Sequence, residues 1–124
     1  MEIRRATAPD IPELCSLLGE LFSQEAEFVP NRSAQAQALA RILERPEIGE
    51  ILVASDAGSI LGMVSLLYTV STALGGTVAL LEDMVMAGDA RGRGVGSALL
   101  GQALERARAR GCRRITLMTD ADNA

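Results

Sequence analysis

Residues 81–100 read LEDMVMAGDARGRGVGSALL, and this stretch decides the fold. It leaves a long apolar run, passes through a short polar exit and enters a glycine-rich turn that leads directly into apolar residues at helical spacing. Alternating glycines ahead of a helix allow a tight turn and let a ligand approach the backbone closely. Because the first N–H groups of a helix have no partner inside it, the turn predicts a site for an anion such as a pyrophosphate.

Two common phosphate-binding patterns do not fit this turn. The dinucleotide pattern Gly-x-Gly-x-x-Gly fails, since its third glycine would fall on Ser97 or Leu99. The Walker pattern needs a lysine, and the chain contains none. The pattern that fits is Arg/Gln-x-x-Gly-x-Gly/Ala, which Arg91, Gly94 and Gly96 satisfy.

This spacing resembles the acetyl-CoA signature of the GNAT superfamily of N-acetyltransferases, and residues 81–86 look like the family's fourth strand. The resemblance covers the whole chain as element order and is specific only near residues 80–100. It implies acetyl-CoA as cosubstrate, no metal, and direct transfer of the acetyl group to a primary amine of a small molecule or peptide. A non-catalytic module that binds CoA as a sensor or subunit is the alternative, whereas a plain α/β interaction domain would leave the glycine turn unexplained.

The resemblance also implies which residues form the site. Backbone amides of residues 92–97 would hold the pyrophosphate, and the side chain of Arg93 either contacts a CoA phosphate or lies in solvent. The fourth strand would splay from the fifth at a bulge and pair with the pantetheine arm, with the Met86 N–H facing the thioester oxygen. Asn123 resembles a residue of the family's next motif that contacts pantetheine. The complete cofactor-binding set is Met84, Val85, Met86, Arg91, Gly92, Arg93, Gly94, Val95, Gly96, Ser97 and Asn123.

Acetyl transfer to an amine requires loss of a proton and stabilisation of the thioester oxyanion. A carboxylate inside an apolar strand is costly to bury unpaired, and some family members use a glutamate at the matching place as a base. Glu82 is therefore the first catalytic candidate and Asp83 the second, although either could be a solvated strand carboxylate or pair with an arginine. Strand alternation predicts that the two lie on opposite faces. Tyr68, the one tyrosine, is predicted to be a packing or edge residue.

Hydrophobic periodicity predicts one domain over residues 1–124 with the element order β-α-α-β-β-β-α-β. Thr7 is predicted to cap the first helix and Ser33 the second. Apolar runs at residues 51–54, 60–70 and 77–86 predict three strands, and the last of these is expected to be central. The hairpins and the late strand–helix–strand crossover imply an α+β fold whose mixed, mostly antiparallel twisted sheet carries helices on both faces.

Composition narrows the functional classes further. The chain contains no histidine and no lysine, which excludes a histidine base and a Schiff-base lysine. Its net charge of −4 argues against a nucleic-acid partner. Cys15 and Cys112 are expected to be packing residues. No apolar run approaches a membrane span and no secretory signal is evident, so a cytoplasmic protein without a membrane partner is expected.

Two further expectations concern the acceptor amine and the end of the chain. Glu25 and Glu27 lie in a loop predicted over residues 25–31, and with Glu82 they suit a cationic amine; a solvated acidic loop explains them equally well. The family pattern continues past Asn123 with a helix and two strands. An uncovered sheet edge invites association, so we expect either that the native chain continues past Ala124 or that a homodimer completes the sheet.

Overall fold

The computed structural model describes residues 1–23, 31–90 and 92–117, and its elements follow the predicted order. Helix boundaries and strand boundaries fall close to the turns that glycine and proline mark in the sequence. The strands are β1 (Glu2–Arg5), β2 (Gly49–Asp56), β3 (Ser59–Ser71), β4 (Gly76–Met86) and β5 (Ile115–Leu117). The helices are α1 (Ile11–Ser23), α2 (Arg32–Glu44) and α3 (Val95–Ala109), with short 3₁₀ turns at Ala8–Asp10 and Gly88–Ala90.

The five strands form one sheet in the order β1-β2-β3-β4-β5. The first three pairings are antiparallel and the β4–β5 pairing is parallel, which confirms the mixed, mostly antiparallel sheet. The prediction that residues 77–86 form the central strand is wrong: within the described residues, β3 is central. Two strands precede β3 in the sheet, whereas β4 has only β5 beyond it. An apolar run in the sequence indicates that a strand is buried, but it does not give the order of the strands across the sheet.

Helices cover both faces of the sheet, as predicted. On one face α3 packs Leu99, Ala103 and Ala107 against strand residues that include Leu66 and Leu81. On the other face α1 and α2 enclose a second core whose buried members include Leu14, Leu39, Ile51, Val53 and Met63. The alternation of Ile51, Leu52 and Val53 between the two cores explains why β2 is apolar along nearly its whole length.

The cap of the first helical turn is confirmed and that of the second is corrected. The Thr7 N–H donates to the Asp10 carboxylate at 2.7 Å, and the hydrogen bond from Arg4 lowers the pKa of Asp10 to about 2. At α2 the cap is Asn31, not Ser33, because the Asn31 Oδ1 accepts from the Ala34 N–H at 3.0 Å. Asparagine caps as well as serine does, so two good candidates stood two residues apart.

Several expectations fall outside the described residues: the loop up to residue 30 with Glu25 and Glu27, Arg91, and the end of the chain with Asn123. Within the described part, no helix is both long enough and apolar enough to cross a membrane.

Candidate active site

The glycine turn lies between two buried side chains, and the residues between them are exposed. Ala90 and Val95 are almost fully buried, whereas residues 92–94 are exposed. Gly92 and Gly94 have φ of 80° and 76°, in the left-handed region that favours glycine, and a Cβ at either would meet nothing within 4 Å. The backbone of this turn is therefore accessible along its outer side.

Gly94 is the N-cap residue of α3, and the first helical hydrogen bond runs from the Ala98 N–H to its carbonyl at 3.1 Å. The geometry of the helix leaves the N–H groups of Val95, Gly96 and Ser97 without a partner inside it. A glycine cap offers no side-chain oxygen to accept from them, unlike Asn31 at the start of α2. Together with the dipole of a 15-residue helix, this turn can bind an anion. The Arg93 N–H is engaged differently, since it donates to the Ala90 carbonyl at 3.3 Å.

Glu82 and Asp83 lie at a β-bulge in β4. Glu82 is opposite Ser65 and Val85 is opposite Met63, so β4 has one residue more than β3 between these pairs. Asp83 takes up the extra residue with a φ of 56°. In a regular strand Leu81 and Met84, which are three residues apart, would lie on opposite faces of the sheet. Because of the extra residue, both contact the same core. The strict alternation predicted for Glu82 and Asp83 is therefore interrupted here.

The bulge separates the half-buried Glu82 from the last residues of the strand. Beyond it, Val85 and Met86 pair with β3, and the described pairing with β5 ends at Leu81. The structure thus brings Glu82, Met84–Met86 and the start of α3 to the same end of the sheet. Among the described residues, no group of three or more Cys, Asp or Glu side chains is placed to hold a metal ion.

A buried carboxylate that the sequence analysis missed lies at the opposite end of α3. The Glu50 side chain is 2% exposed, and it accepts hydrogen bonds from the Tyr68 hydroxyl and from Arg106. Arg5 lies 3.4 Å and Arg110 lies 4.0 Å from its oxygens. The only hint in the sequence is a glutamate directly before an apolar strand, and its two hydrogen-bond donors are 18 and 56 residues away.

This Glu50 cluster explains the surroundings of Tyr68. Burial and the Glu50 carboxylate raise the pKa of the tyrosine, and the Arg110 guanidinium lies 4.3 Å from its ring centroid. Arg106 lies 12 residues after Gly94 on α3, so the helix separates the cluster from the glycine turn by about 18 Å. Tyr68 is therefore a packing and hydrogen-bonding residue remote from the turn, which agrees with the prediction.

Replacing Glu50 by glutamine is expected to lower the free energy of unfolding by about 2 kcal/mol, because charge-assisted hydrogen bonds to a buried carboxylate are lost. Burial alone raises the pKa of Glu50, but the hydrogen bonds from Arg106 and Tyr68 outweigh it and the net pKa is lowered. The contribution of the ionised carboxylate is therefore complete above its ordinary pKa of 4.5 and is lost as the pH falls through the lower pKa of the folded state.

Denaturant unfolding at pH 7 and at acid pH measures this effect. The matched control is Glu105→Gln, which removes an exposed ion pair with Arg108 and should change stability by less than about 1 kcal/mol. Equal losses for the two variants, or a difference between wild type and Glu50→Gln that does not shrink in acid, would contradict the assignment.

Comparison with known proteins places this geometry in a family. Residues 11–124 match the acetyltransferase (GNAT) family. The chain is 31% identical over 125 residues to the uncharacterized N-acetyltransferase YhfO of Bacillus subtilis, covering 99% of this chain and 81% of that protein.

Solved structures agree with this match. A putative acetyltransferase from Agrobacterium tumefaciens superposes with a TM-score of 0.82 at 26% identity, covering 99% of this chain and 84% of that one. A predicted acetyltransferase from Clostridium acetobutylicum, solved with acetyl-CoA, shares the fold with a TM-score of 0.82 at 18% identity, covering 97% of this chain and 81% of that one. The chain belongs to the GNAT family of acetyl-CoA-dependent N-acetyltransferases.

Proposed function

We propose that this enzyme transfers the acetyl group of acetyl-CoA directly to a primary amine of a small molecule or peptide, and that the glycine turn binds the cofactor's pyrophosphate. The observation that carries the proposal is the exposed turn at Gly92 and Gly94, which leads into a long helix without a side-chain cap. The N–H groups of Val95, Gly96 and Ser97 donate to the phosphate oxygens. The Arg93 side chain is exposed beside them and adds positive charge.

The end of β4 supplies the rest of the site. The backbone of Met84, Val85 and Met86 pairs with the pantetheine arm, and the Met86 N–H faces the thioester oxygen. The bulge supports this placement, because it interrupts the regular pairing of β4 with β3 directly before these residues. Arg91 and Asn123, in the cofactor set by resemblance, remain predictions.

Bound acetyl-CoA supplies an activated acetyl group as a thioester. Glu82 accepts the proton that the attacking amine loses, either directly or through a water molecule, and Asp83 is the second candidate. The new C–N bond replaces the C–S bond of the thioester, and the CoA thiolate leaves and takes up a proton from solvent. Glu82 suits this role because it is only half-buried, one residue before the bulge and on the strand that carries the thioester-facing backbone. A carboxylate at this position also attracts a cationic amine, so polyamines, aminoglycosides, amino acids and peptide N-termini are the acceptors to test. Assembly as a homodimer and a cytoplasmic location remain predictions.

Acetyl-CoA is expected to stabilise the protein against heat. At 100 times its dissociation constant, a ligand that binds only the folded state adds about 2.7 kcal/mol, which raises the melting temperature by about 10 °C for a domain of this size. Differential scanning fluorimetry measures the shift, and adenosine 3′,5′-bisphosphate, which lacks the pyrophosphate and pantetheine, is the control ligand. The absence of any shift at millimolar acetyl-CoA would refute the proposed site.

Turnover is then measured with a panel of primary amines by following release of the CoA thiol. The protein has free thiols of its own at Cys15 and Cys112, so reactions without amine provide the background. A stable complex with acetyl-CoA that acetylates none of the amines would contradict the proposed acceptor class and leave cofactor binding intact.

A further inference from the structure

The Met86 side chain lies between two glycines that belong to different elements. Gly62 on β3 pairs with Met86 on β4. A Cβ built on Gly62 would lie 2.8 Å from the Met86 sulfur, 3.1 Å from the Leu99 Cδ1 and 3.1 Å from the Val85 carbonyl oxygen. On the other side, a Cβ on Gly96 would lie 3.8 Å from the Met86 Cε. Met86 therefore occupies the space between the sheet and the first turn of α3.

The two contacts differ in tightness. At Gly96 a methyl group would be in ordinary van der Waals contact with the Met86 Cε, so the end of the Met86 side chain lies beside the first turn of α3. At Gly62 a methyl group would overlap the Met86 sulfur and approach Leu99, which is fully buried on α3. The Val85 carbonyl and Leu99 prevent the added methyl from moving away from Met86. The flexible Met86 side chain is therefore the group that shifts, and it shifts toward Gly96.

We infer that Gly62, although it lies 30 residues before Gly92, is a positioning residue for the pyrophosphate site: its lack of a side chain leaves room for Met86, and Met86 in turn keeps the first turn of α3 where its N–H groups can reach the phosphates. This inference rests on the proposed function. Gly62 touches no cofactor itself and acts through Met86. Its effect is therefore expected in the affinity for acetyl-CoA.

The test is a double-mutant cycle on acetyl-CoA affinity, measured by calorimetry. Gly62→Ala is expected to weaken binding about tenfold, since small displacements of binding groups have effects of this order or larger. Met86→Val is expected to weaken binding as well, because it removes the atoms that lie beside the first turn of α3. The double variant is expected to bind about as well as Met86→Val alone, because the added methyl acts on the first turn of α3 only through the end of the Met86 side chain, which valine lacks.

A second crowded glycine of the same sheet provides the matched control. A Cβ on Gly49, in β2, would lie 2.8 Å from the Leu66 carbonyl oxygen, 3.0 Å from the Leu67 side chain and 3.4 Å from Ile42 of α2, a similar overlap on the side of the sheet that α2 covers. Gly49→Ala is expected to lower the melting temperature and to leave acetyl-CoA affinity unchanged. A loss of affinity in Gly62→Ala alone thus separates positioning from general destabilisation.

The outcomes distinguish the inference from the function on which it rests. Absence of acetyl-CoA binding by the wild type overturns both. Wild-type binding with unchanged affinity in Gly62→Ala, or additive losses across the cycle, overturns the positioning role and leaves the proposed function standing. If Gly62→Ala does not fold, the Met86→Val variant and the double variant decide, since the inference requires the added methyl to cause no further loss of affinity once Met86 has been shortened.

Discussion

Acetyl-CoA affinity falls by about 100-fold or more when Gly94 is replaced by valine. The backbone of Gly94 has a φ of 76°, a conformation that costs a residue with a side chain about 1–2 kcal/mol, and more for a β-branched one. The space beside Gly94 is open, so the valine side chain meets no protein atom there but projects into the path that we propose for the pyrophosphate. The phosphates lose both their contacts with the helix N–H groups and the space that they occupy, and these two losses account for the expected decrease in affinity. Calorimetry with acetyl-CoA measures it.

The control for Gly94→Val is Gly75→Val. Gly75 has a φ of 71°, and a Cβ added there would also meet nothing within 4 Å, but it lies in the turn between β3 and β4, at the end of β3 far from Gly62. Both variants carry the same backbone strain and should lose similar stability. Only Gly94→Val should lose affinity. If a folded Gly94→Val protein binds acetyl-CoA with the affinity of the wild type, the assignment of the turn as the pyrophosphate site is wrong.

Turnover falls by about 100-fold in Glu82→Gln, while acetyl-CoA affinity changes little. Glutamine retains the size of the side chain but cannot accept a proton and carries no charge. The substitution therefore removes general-base catalysis, which lowers kcat, together with the attraction for a cationic amine, which raises KM. The residue is half-buried and lies opposite Ser65 at the edge of the bulge, so an isosteric amide should fit in its place. Steady-state kinetics with the best amine of the panel gives the ratio of kcat/KM values.

The control and the rate–pH profile make this test specific. Glu105→Gln makes the same chemical change on an exposed part of α3 and should leave kcat unaltered. The rate–pH profile of Glu82→Gln should lack the pH-dependent arm that a general base produces. An unchanged profile with unchanged turnover would remove Glu82 from the mechanism, and Asp83→Asn would be examined next.

The sequence predicted those features that depend on neighbouring residues. Apolar periodicity gave the element order, and the glycine spacing before the helix located the turn around Gly94. The bulge could not be located by periodicity, because alternation assumes a regular strand and Asp83 gives only a weak signal for positive φ. The family resemblance implied a bulge in this strand, without the residue.

Features that depend on distant partners escaped prediction. Glu50 becomes a buried ion-pair centre only because β1, β3 and α3 bring Arg5, Tyr68 and Arg106 to it. Lateral strand order also depends on long-range pairing, so β3 rather than β4 is central within the described sheet. The same reason conceals Gly62, whose role follows from its distance to Met86 and Leu99 and not from its neighbours in the chain.

The Glu50 cluster has a chemical consequence for an enzyme that works with a reactive thioester. In the part of the chain that the structure describes, every cation in contact with Glu50 is an arginine, and the sequence of 124 residues contains no lysine at all. A guanidinium stays protonated in proteins and has no free lone pair to attack an acyl donor, whereas a lysine amine can be acetylated and lose its charge. The ion pairs that hold the far end of α3 are therefore inert toward acetyl-CoA, and prolonged exposure to the acyl donor leaves their charges unaltered.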